Sequence, residues 1–392
     1  MNSIPYGKQE ITEKDIEAVI AVLNGDFLTQ GPQVAAFEKA FAEYVGVGYA
    51  VAVANGTAAL HLSAIALGVD KGSRVITTPI TFAATSNCIL YCGGQVEFAD
   101  IDPTTGTLDP DSVERMILGK PKGYYQGIIP VDLAGYPVNL EKFGKIAKEH
   151  GLWVLEDACH APGAHYQDSS GNRQKCGNGS IARLSIFSFH PVKHIATGEG
   201  GMITTNDASL YSKLLKLRTH GITKDRTLLT SYDGDWYYEM QDLGFNYRLP
   251  DILCALGISQ LSKADERLDR RISIARNYDN AFSDGTIVTP LTPLSHLEEI
   301  GIKHAYHLYV IRTKQRLKLF NYLRERKILT QVHYIPLYKM PYYRKLGYSQ
   351  TLCPNAESYY CECLSLPMFP SLREHEQQYV IDTINQFSDD SI

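Results

Sequence analysis

Two residues of this chain stand where chemistry could be done. Leu152-Trp153-Val154-Leu155 is a short apolar run of the kind a buried parallel strand shows, and it ends in Glu156-Asp157-Ala158-Cys159-His160. A second run, Ser185-Ile186-Phe187-Ser188-Phe189, leads into His190-Pro191-Val192-Lys193. A glycine-rich turn, Gly198-Glu199-Gly200-Gly201, and a third strand-like run, Met202-Ile203-Thr204-Thr205, come next. An acid at one strand end and a lysine just past the next would meet at the carboxyl edge of an open α/β sheet, where ligands bind. An aldehyde cofactor of the pyridoxal phosphate kind uses such a pair. The amine bonds to the aldehyde carbon, and the carboxylate keeps the pyridine nitrogen protonated so that the ring accepts electrons from a substrate carbanion. On spacing alone, two plain surface charges at strand ends are the commoner outcome.

The elements that would have to position the pair lie on either side of it. Thr12 and Asp15 form a reciprocal cap, and Ile16, Val19, Ile20 and Leu23 make one apolar helix face before Gly25. Asp26 to Pro32 is a polar turn ending in Gly-Pro, which breaks helix. Val34, Phe37, Phe41 and Tyr44 mark a second amphipathic helix. Ala50 to Ala54 is a buried strand, and Asn55-Gly56-Thr57-Ala58-Ala59-Leu60 enters a helix whose small first residues would let backbone N–H groups approach an anion. A generic tight βα turn reads the same way. Further strands are expected at 74–78, 95–98 and 127–131, with helices to about Cys92 and near 140–150. This alternation argues for a mostly parallel sheet. Residues 222–243 read as loop, and a charged helix is expected over 260–282.

Asp157-x-Cys159-His160, Ser188-Phe189-His190-Pro191-Val192-Lys193 and Thr197-Gly198-Glu199-Gly200-Gly201 together resemble the signature of the DegT/DnrJ/EryC1/StrS family of fold-type I, pyridoxal-phosphate-dependent nucleotide-sugar aminotransferases. The similarity runs over essentially the whole chain. It implies an α/β fold with a large, mostly parallel mixed sheet flanked by helices, plus a smaller C-terminal α/β domain. The implied division is an N-terminal arm and first helix over 1–30, a cofactor-binding domain over 31–255 and a small domain over 256–392.

Site roles follow from the same resemblance. Lys193 would carry pyridoxal 5′-phosphate, Asp157 would meet its ring nitrogen, and His160 would lie beside its 3-oxygen. Phe82 would stack on the ring, and Gly56, Thr57 and Ser188 would hold the phosphate. Asn246, in Gly244-Phe245-Asn246-Tyr247-Arg248, would cross a homodimer interface to the neighbour's cofactor phosphate, so that active sites are shared. Substrate contacts would come from Tyr6, Asp26, Phe27, Leu28, Thr29, Gln331, Val332, His333 and Tyr334, with Gly56, Ser188 and Asn246 serving there too. A lone histidine beside a strand, as His333 is, is more often structural. The implied reaction moves the amino group of L-glutamate to the C4 keto group of a nucleotide sugar. The segments Ile4 to Gly7, Asp26 to Gly31 and Trp236 to Met240 resemble members that use a UDP-linked 4-keto-6-deoxy-N-acetylhexosamine for pseudaminic acid; a perosamine or bacillosamine-precursor type is the alternative. Asn55-Gly56-Thr57 departs from the Ser-Ala-Thr common in near relatives, a change that is conservative for backbone phosphate binding.

Composition narrows the other readings. The 392 residues suffice for one large domain and a smaller one, and 44% hydrophobic with 21% charged residues is ordinary for a globular protein. A net charge of −5 shows no basic excess for nucleic acid or an anionic membrane. No run of about 18 apolar residues spans a bilayer. Met1-Asn2-Ser3-Ile4-Pro5 has neither the basic nor the apolar part of a secretory signal, so a cytoplasmic protein is expected. The eight cysteines follow no zinc-like pairing, so no metal site is expected and the thiols should be reduced. No Gly-x-Gly-x-x-Gly links a strand to a helix, which argues against a dinucleotide dehydrogenase. A sugar dehydratase of the same fold usually replaces the lysine by histidine, and a regulator built on it usually adds a DNA-binding domain. Lys193 and the chain length argue against both.

Overall fold

The apolar runs become strands whose order brings Asp157 and Lys193 to one edge. In the computed structural model, which describes residues 3–387, these strands are β1 (Tyr49–Val53), β2 (Arg74–Thr77), β3 (Gln95–Phe98), β4 (Gly127–Ile129) and β5 (Trp153–Asp157). A hairpin of β6 (His165–Gln167) and β7 (Arg173–Lys175) follows, then β8 (Leu184–Ser188) and β9 (Gly201–Thr205). Seven of them form one sheet in the order β1-β9-β8-β5-β4-β2-β3. Strands β2, β3, β4, β5 and β8 pair in parallel, whereas β9 runs antiparallel to both β1 and β8. The reversal at β9 has a consequence for the site. Ser188 pairs with Gly201, so the chain between them turns back at the carboxyl edge and carries Lys193 there. Val53 also pairs with Gly201, which brings Asn55 and Gly56 to the same edge.

Strand periodicity of two fills both faces of the sheet. Val51, Val53, Ile186 and Ile203 pack with Leu60, Leu62 and Leu214 of α3 (Gly56–Ala66) and α7 (Ala208–Arg218) on one side. Their neighbours Ala50, Ala52, Phe187 and Met202 pack with Phe37, Phe41 and Cys254 of α2 (Pro32–Val45) and α8 (Asp251–Leu261) on the other. Helix α4 (Ala84–Tyr91) follows β2, and α5 (Pro110–Leu118) and α6 (Leu140–His150) cover Ile76, Ile128 and Val154.

Beyond α8 the chain builds a second core around an antiparallel sheet of Thr289–Pro290, Tyr309–Arg312 and Cys363–Leu366. Tyr278 of α9 (Ala264–Ala281), Leu319, Leu323, Leu364 and Ile384 fill it, together with Ile4 from the N-terminal arm. The helix expected over 260–282 is therefore two, broken at residues 262–263. Because α8 runs straight through residue 255, we propose that the two parts divide at the α8–α9 break. The outermost residues of the expected first and last segments, 1–2 and 388–392, lie outside the described residues.

Helix α1 (Glu13–Leu23) forms with the anticipated Thr12–Asp15 capping box, but its burial is inverted. Asp15 is buried, paired with Lys263 at 2.7 Å and hydrogen-bonded by Gln260 and Ser259, whereas Ile16, Ile20 and Leu23 are exposed. One chain leaves that apolar face without cover.

Candidate active site

The carboxyl edge opens into a cleft of about 650 Å³ lined by Asp157, Lys193, His160, Ser188, Gly56, Thr57, Phe82, Tyr6, Gln331, Val332, His333 and Tyr334. Twelve residues singled out in the sequence thus meet in one place. Five do not. Asp26, Phe27, Leu28 and Thr29 are exposed, the first two on a separate groove beside α1 and α8, and Asn246 is exposed outside the cleft.

Asp157 closes β5 at 4% exposure, and both its oxygens are engaged. Oδ2 accepts from Thr85 Oγ1 at 2.8 Å, and Oδ1 accepts from the Cys159 backbone N–H at 3.2 Å. Thr85 spends its hydroxyl hydrogen on the carboxylate, so Thr81 donates to Thr85 across their 2.9 Å contact. Two donors in fixed directions lock the carboxylate rotamer.

Lys193 is partly open to the cleft, yet dense surroundings desolvate its amine. Burial pulls its pKa below the ordinary lysine value, with Cys159 and Asp157 opposing the shift. A lysine so placed reaches its neutral, nucleophilic form more readily than one in water. Among the described ion pairs none involves it.

His160 is held in one tautomer. Its Nδ1 accepts the Ala134 backbone N–H at 3.2 Å, so the proton sits on Nε2, which is left as a donor. Burial, reinforced by Lys193, holds its pKa well below the usual histidine value, and the ring is neutral. His307 lies behind it with ring centroids 4.2 Å apart.

The anion-binding wall is the start of α3. Asn55 Oδ1 takes the Ala58 N–H at 2.8 Å, while the N–H groups of Gly56 and Thr57 stand in the first turn, where a helix has no carbonyl for them. The approach is tight at Gly56 and closed to a side chain at Gly201. A Cβ on Gly56 would lie 3.0 Å from Ser188 Cβ, and one on Gly201 would lie 2.6 Å from the backbone C and O of Asn55.

The opposite wall comes from the C-terminal part. Gln331 pairs with Ser365 through two backbone hydrogen bonds, and His333 Nδ1 contacts Ser365 Oγ at 2.9 Å. Burial depresses His333 to about 3, so it is neutral as well. Tyr6 packs against His333 at 5.2 Å, its arm held by the Met368 N–H donating to Tyr6 O. Phe82 presents a ring that is 63% exposed, with Tyr334 beside it at 6.4 Å.

Sequence reading missed Thr85, the Ala134 N–H, His307 and the cleft-lining His190, Glu199 and Met340. A threonine in a helical first turn and a backbone amide carry no signal that separates them from their ordinary counterparts.

Comparison with known proteins agrees with this geometry. The model of the DegT/DnrJ/EryC1/StrS aminotransferase family matches residues 9–385, and the chain belongs to that family. The spore coat polysaccharide biosynthesis protein SpsC of Bacillus subtilis is 38% identical, covering 97% of this chain and 96% of its own. The UDP-4-amino-4,6-dideoxy-N-acetyl-beta-L-altrosamine transaminase of Campylobacter jejuni is 37% identical with the same coverage of both chains. Among solved structures, Helicobacter pylori PseC, an aminotransferase involved in biosynthesis of pseudoaminic acid, superposes with a TM-score of 0.87 at 33% identity, covering 98% of this chain and 99% of that one. A putative sugar aminotransferase of Streptococcus pneumoniae, solved in PLP and PMP forms, matches at 0.88 and 0.89. This chain is thus a sugar aminotransferase of the DegT family, and its cofactor is pyridoxal 5′-phosphate. The cleft fits that group: a desolvated lysine, a buried carboxylate, a helix N-terminus without carbonyl partners and an uncovered aromatic ring face one space.

Proposed function

We propose that the enzyme transfers the amino group of L-glutamate to the C4 keto group of a UDP-linked 4-keto-6-deoxy-N-acetylhexosamine, giving UDP-4-amino-4,6-dideoxy-N-acetyl-β-L-altrosamine for pseudaminic acid. The observation that carries the amino-transfer chemistry is the convergence of Lys193, Asp157 and the α3 N-terminus in one cleft. When bound, pyridoxal phosphate supplies an electron sink and holds the amino group between the two half-reactions. Lys193 would anchor it, and the lysine amine would move the proton at the donor's α-carbon. Asp157, fixed by Thr85 and the Cys159 N–H, keeps the ring nitrogen protonated. With its Nδ1 occupied, His160 would offer the Nε2–H to the ring oxygen. Gly56, Thr57 and Ser188 would receive the phosphate, and Phe82 and Tyr334, which line the same cleft, would keep water from the ring. Gln331, Val332, His333 and Tyr6 face the sugar side.

The five residues outside the cleft support a shared-site homodimer within the same proposal. Asn246 and the 26–29 segment are exposed, as are Ile16, Ile20 and Leu23 on α1 and Trp236, Met240 and Leu243 in the 222–243 segment. A second chain covering these apolar residues would bring Asn246 to the partner's phosphate wall and the 26–29 segment to its sugar side.

The choice of sugar rests on the Campylobacter and Helicobacter relatives, and 32% identity along the whole chain to the GDP-perosamine synthase of Escherichia coli O157:H7 keeps a perosamine or bacillosamine-precursor type as the second reading. Mass analysis of products from UDP-, GDP- and dTDP-linked 4-keto sugars decides which nucleotide sugar the enzyme takes. A C4 amine formed on the UDP sugar alone is expected; turnover of the GDP sugar alone would move the enzyme to the perosamine class.

A further inference from the structure

The strand end that presents Asp157 to the cleft turns Glu156 the other way, into the protein. There Glu156 is 1% exposed and meets Asp132, which is 0% exposed. A ligating oxygen of each acid and the Cys176 sulfur lie within 4.8 Å of one another. The donors that reach the pair are neutral, and they take one oxygen of each acid. Asp132 Oδ1 accepts from the Val138 N–H at 2.9 Å; Glu156 Oε2 accepts from the Gly177 N–H at 3.0 Å and from Ser185 Oγ at 2.6 Å. The remaining oxygens, Asp132 Oδ2 and Glu156 Oε1, are buried with no donor. Two orphaned acceptors each forfeit the hydration they had in the unfolded chain, and two adjacent charges in a low-dielectric interior repel as well. One proton removes both problems, because the O–H of one acid then donates to the free oxygen of the other.

We infer that Asp132 and Glu156 share a single proton in the folded enzyme, and that this acid pair is the positioning brace for Asp157 and His160. The route to the cleft is short. The Asp132 N–H donates to Asp157 O at 3.1 Å, and the Asp157 N–H donates to Pro130 O at 2.9 Å. The turn that Asp132 opens supplies the Ala134 N–H that sets the His160 tautomer. The groups facing the pair leave the proton with it. Cys176, after β7, is pushed well up by burial and by both acids, so it stays a neutral thiol. Tyr166 of β6, whose buried hydroxyl lacks a partner, is pushed up too, with Glu141 of α6 contributing. Asp157, on the same strand as Glu156, adds a further negative neighbour. Burial raises both acids above the ordinary carboxyl range; repulsion from Glu156 adds to the rise of Asp132, while hydrogen bonds with Ser185, the Gly177 N–H and Asp132 oppose the rise of Glu156.

In the unfolded chain both acids ionise near pH 4, so above that the folded state binds one more proton than the unfolded state. The pair's contribution is complete below about pH 4 and is lost as pH rises toward the folded pKa, by about tenfold in the folded-to-unfolded ratio per pH unit.

Infrared difference spectroscopy of the holoenzyme at neutral pH tests the shared proton. Wild type should show the C=O stretch of a protonated carboxyl, shifted in D2O, and both Asp132→Asn and Glu156→Gln should lack it, since an amide N–H then bridges to the remaining carboxylate. A spectrum unchanged by either substitution overturns the inference. So does a stoichiometric metal ion found by plasma mass spectrometry in wild type and lost in both variants. The brace is read from the pH midpoint of the bound-cofactor absorbance. Asp132→Ala should shift it, and Asp132→Asn should lie nearer wild type; an Asp132→Ala profile that overlays wild type removes the positioning role.

Discussion

At the scale of single residues, the site is a set of side chains whose protonation is fixed by what surrounds them. Lys193 is depressed by burial, and His160 and His333 are neutral for the same reason. Lys193→Ala should still bind the cofactor through the phosphate wall and Asp157, while steady-state turnover falls by several orders of magnitude. Near-normal turnover would remove Lys193 from the chemistry. Thr85→Val deletes one donor to the Asp157 carboxylate, a charged hydrogen bond worth about 1.5–3 kcal/mol. The expected result is a turnover lowered about tenfold or more, with the apparent affinity for the sugar changed much less; a changed KM with intact kcat would place Thr85 on the binding side instead. In the cofactor-free protein the lysine also leaves a stability signature. Its folded pKa is lowered, so the cost of burying the cation is complete below that folded value and fades as pH rises toward the unfolded value. Urea unfolding of the apoprotein should therefore show wild type gaining on Lys193→Ala as pH increases, and a constant difference would contradict the desolvation.

At the scale of elements, the site depends on strand ends meeting within van der Waals contact. Gly201→Ala would drive a methyl against the Asn55 carbonyl at 2.6 Å and push back the α3 N-terminus. Overpacking of this kind costs about 1–3 kcal/mol, and equilibrium dialysis should show weaker cofactor retention. Retention equal to wild type would mean that the turn does not hold the phosphate. The elements themselves were largely legible. Short continuous apolar runs became β1, β5, β8 and β9, and the Asp157 and Lys193 positions at their ends followed from chain order alone. Where reading failed, long-range pairing had decided the outcome. The apolar stripe of α1 reads as a buried face, yet Lys263, Ser259 and Gln260 draw Asp15 inward and leave Ile16 and Ile20 outside. Glu156 beside Asp157 reads as one of two similar acids. Strand alternation sends them to opposite faces, and only the fold shows that Asp132 waits on the other side.

At the scale of the molecule, one chain supplies most of the cleft but not the expected Asn246 or 26–29 contacts. Subunit exchange between Asn246→Asp and Lys193→Ala proteins separates the two arrangements. Asn246→Asp sets a carboxylate against a phosphate, so both parents are impaired. In a mixed dimer with shared sites, one site inherits both lesions and the other is native, so activity should reappear. A mixture no more active than the mean of its parents, with exchange verified, would place each Asn246 in its own chain's site. No helix among the described residues is long and apolar enough to cross a membrane.

The central claim is that Lys193, facing Asp157 in this cleft, holds pyridoxal phosphate. Borohydride reduction of the holoenzyme followed by peptide mass spectrometry addresses it directly. The expected result is the reduced cofactor fixed covalently on the peptide carrying Lys193, with labelling suppressed when glutamate is added first. A label on any other lysine, or none on a yellow holoenzyme, would contradict it.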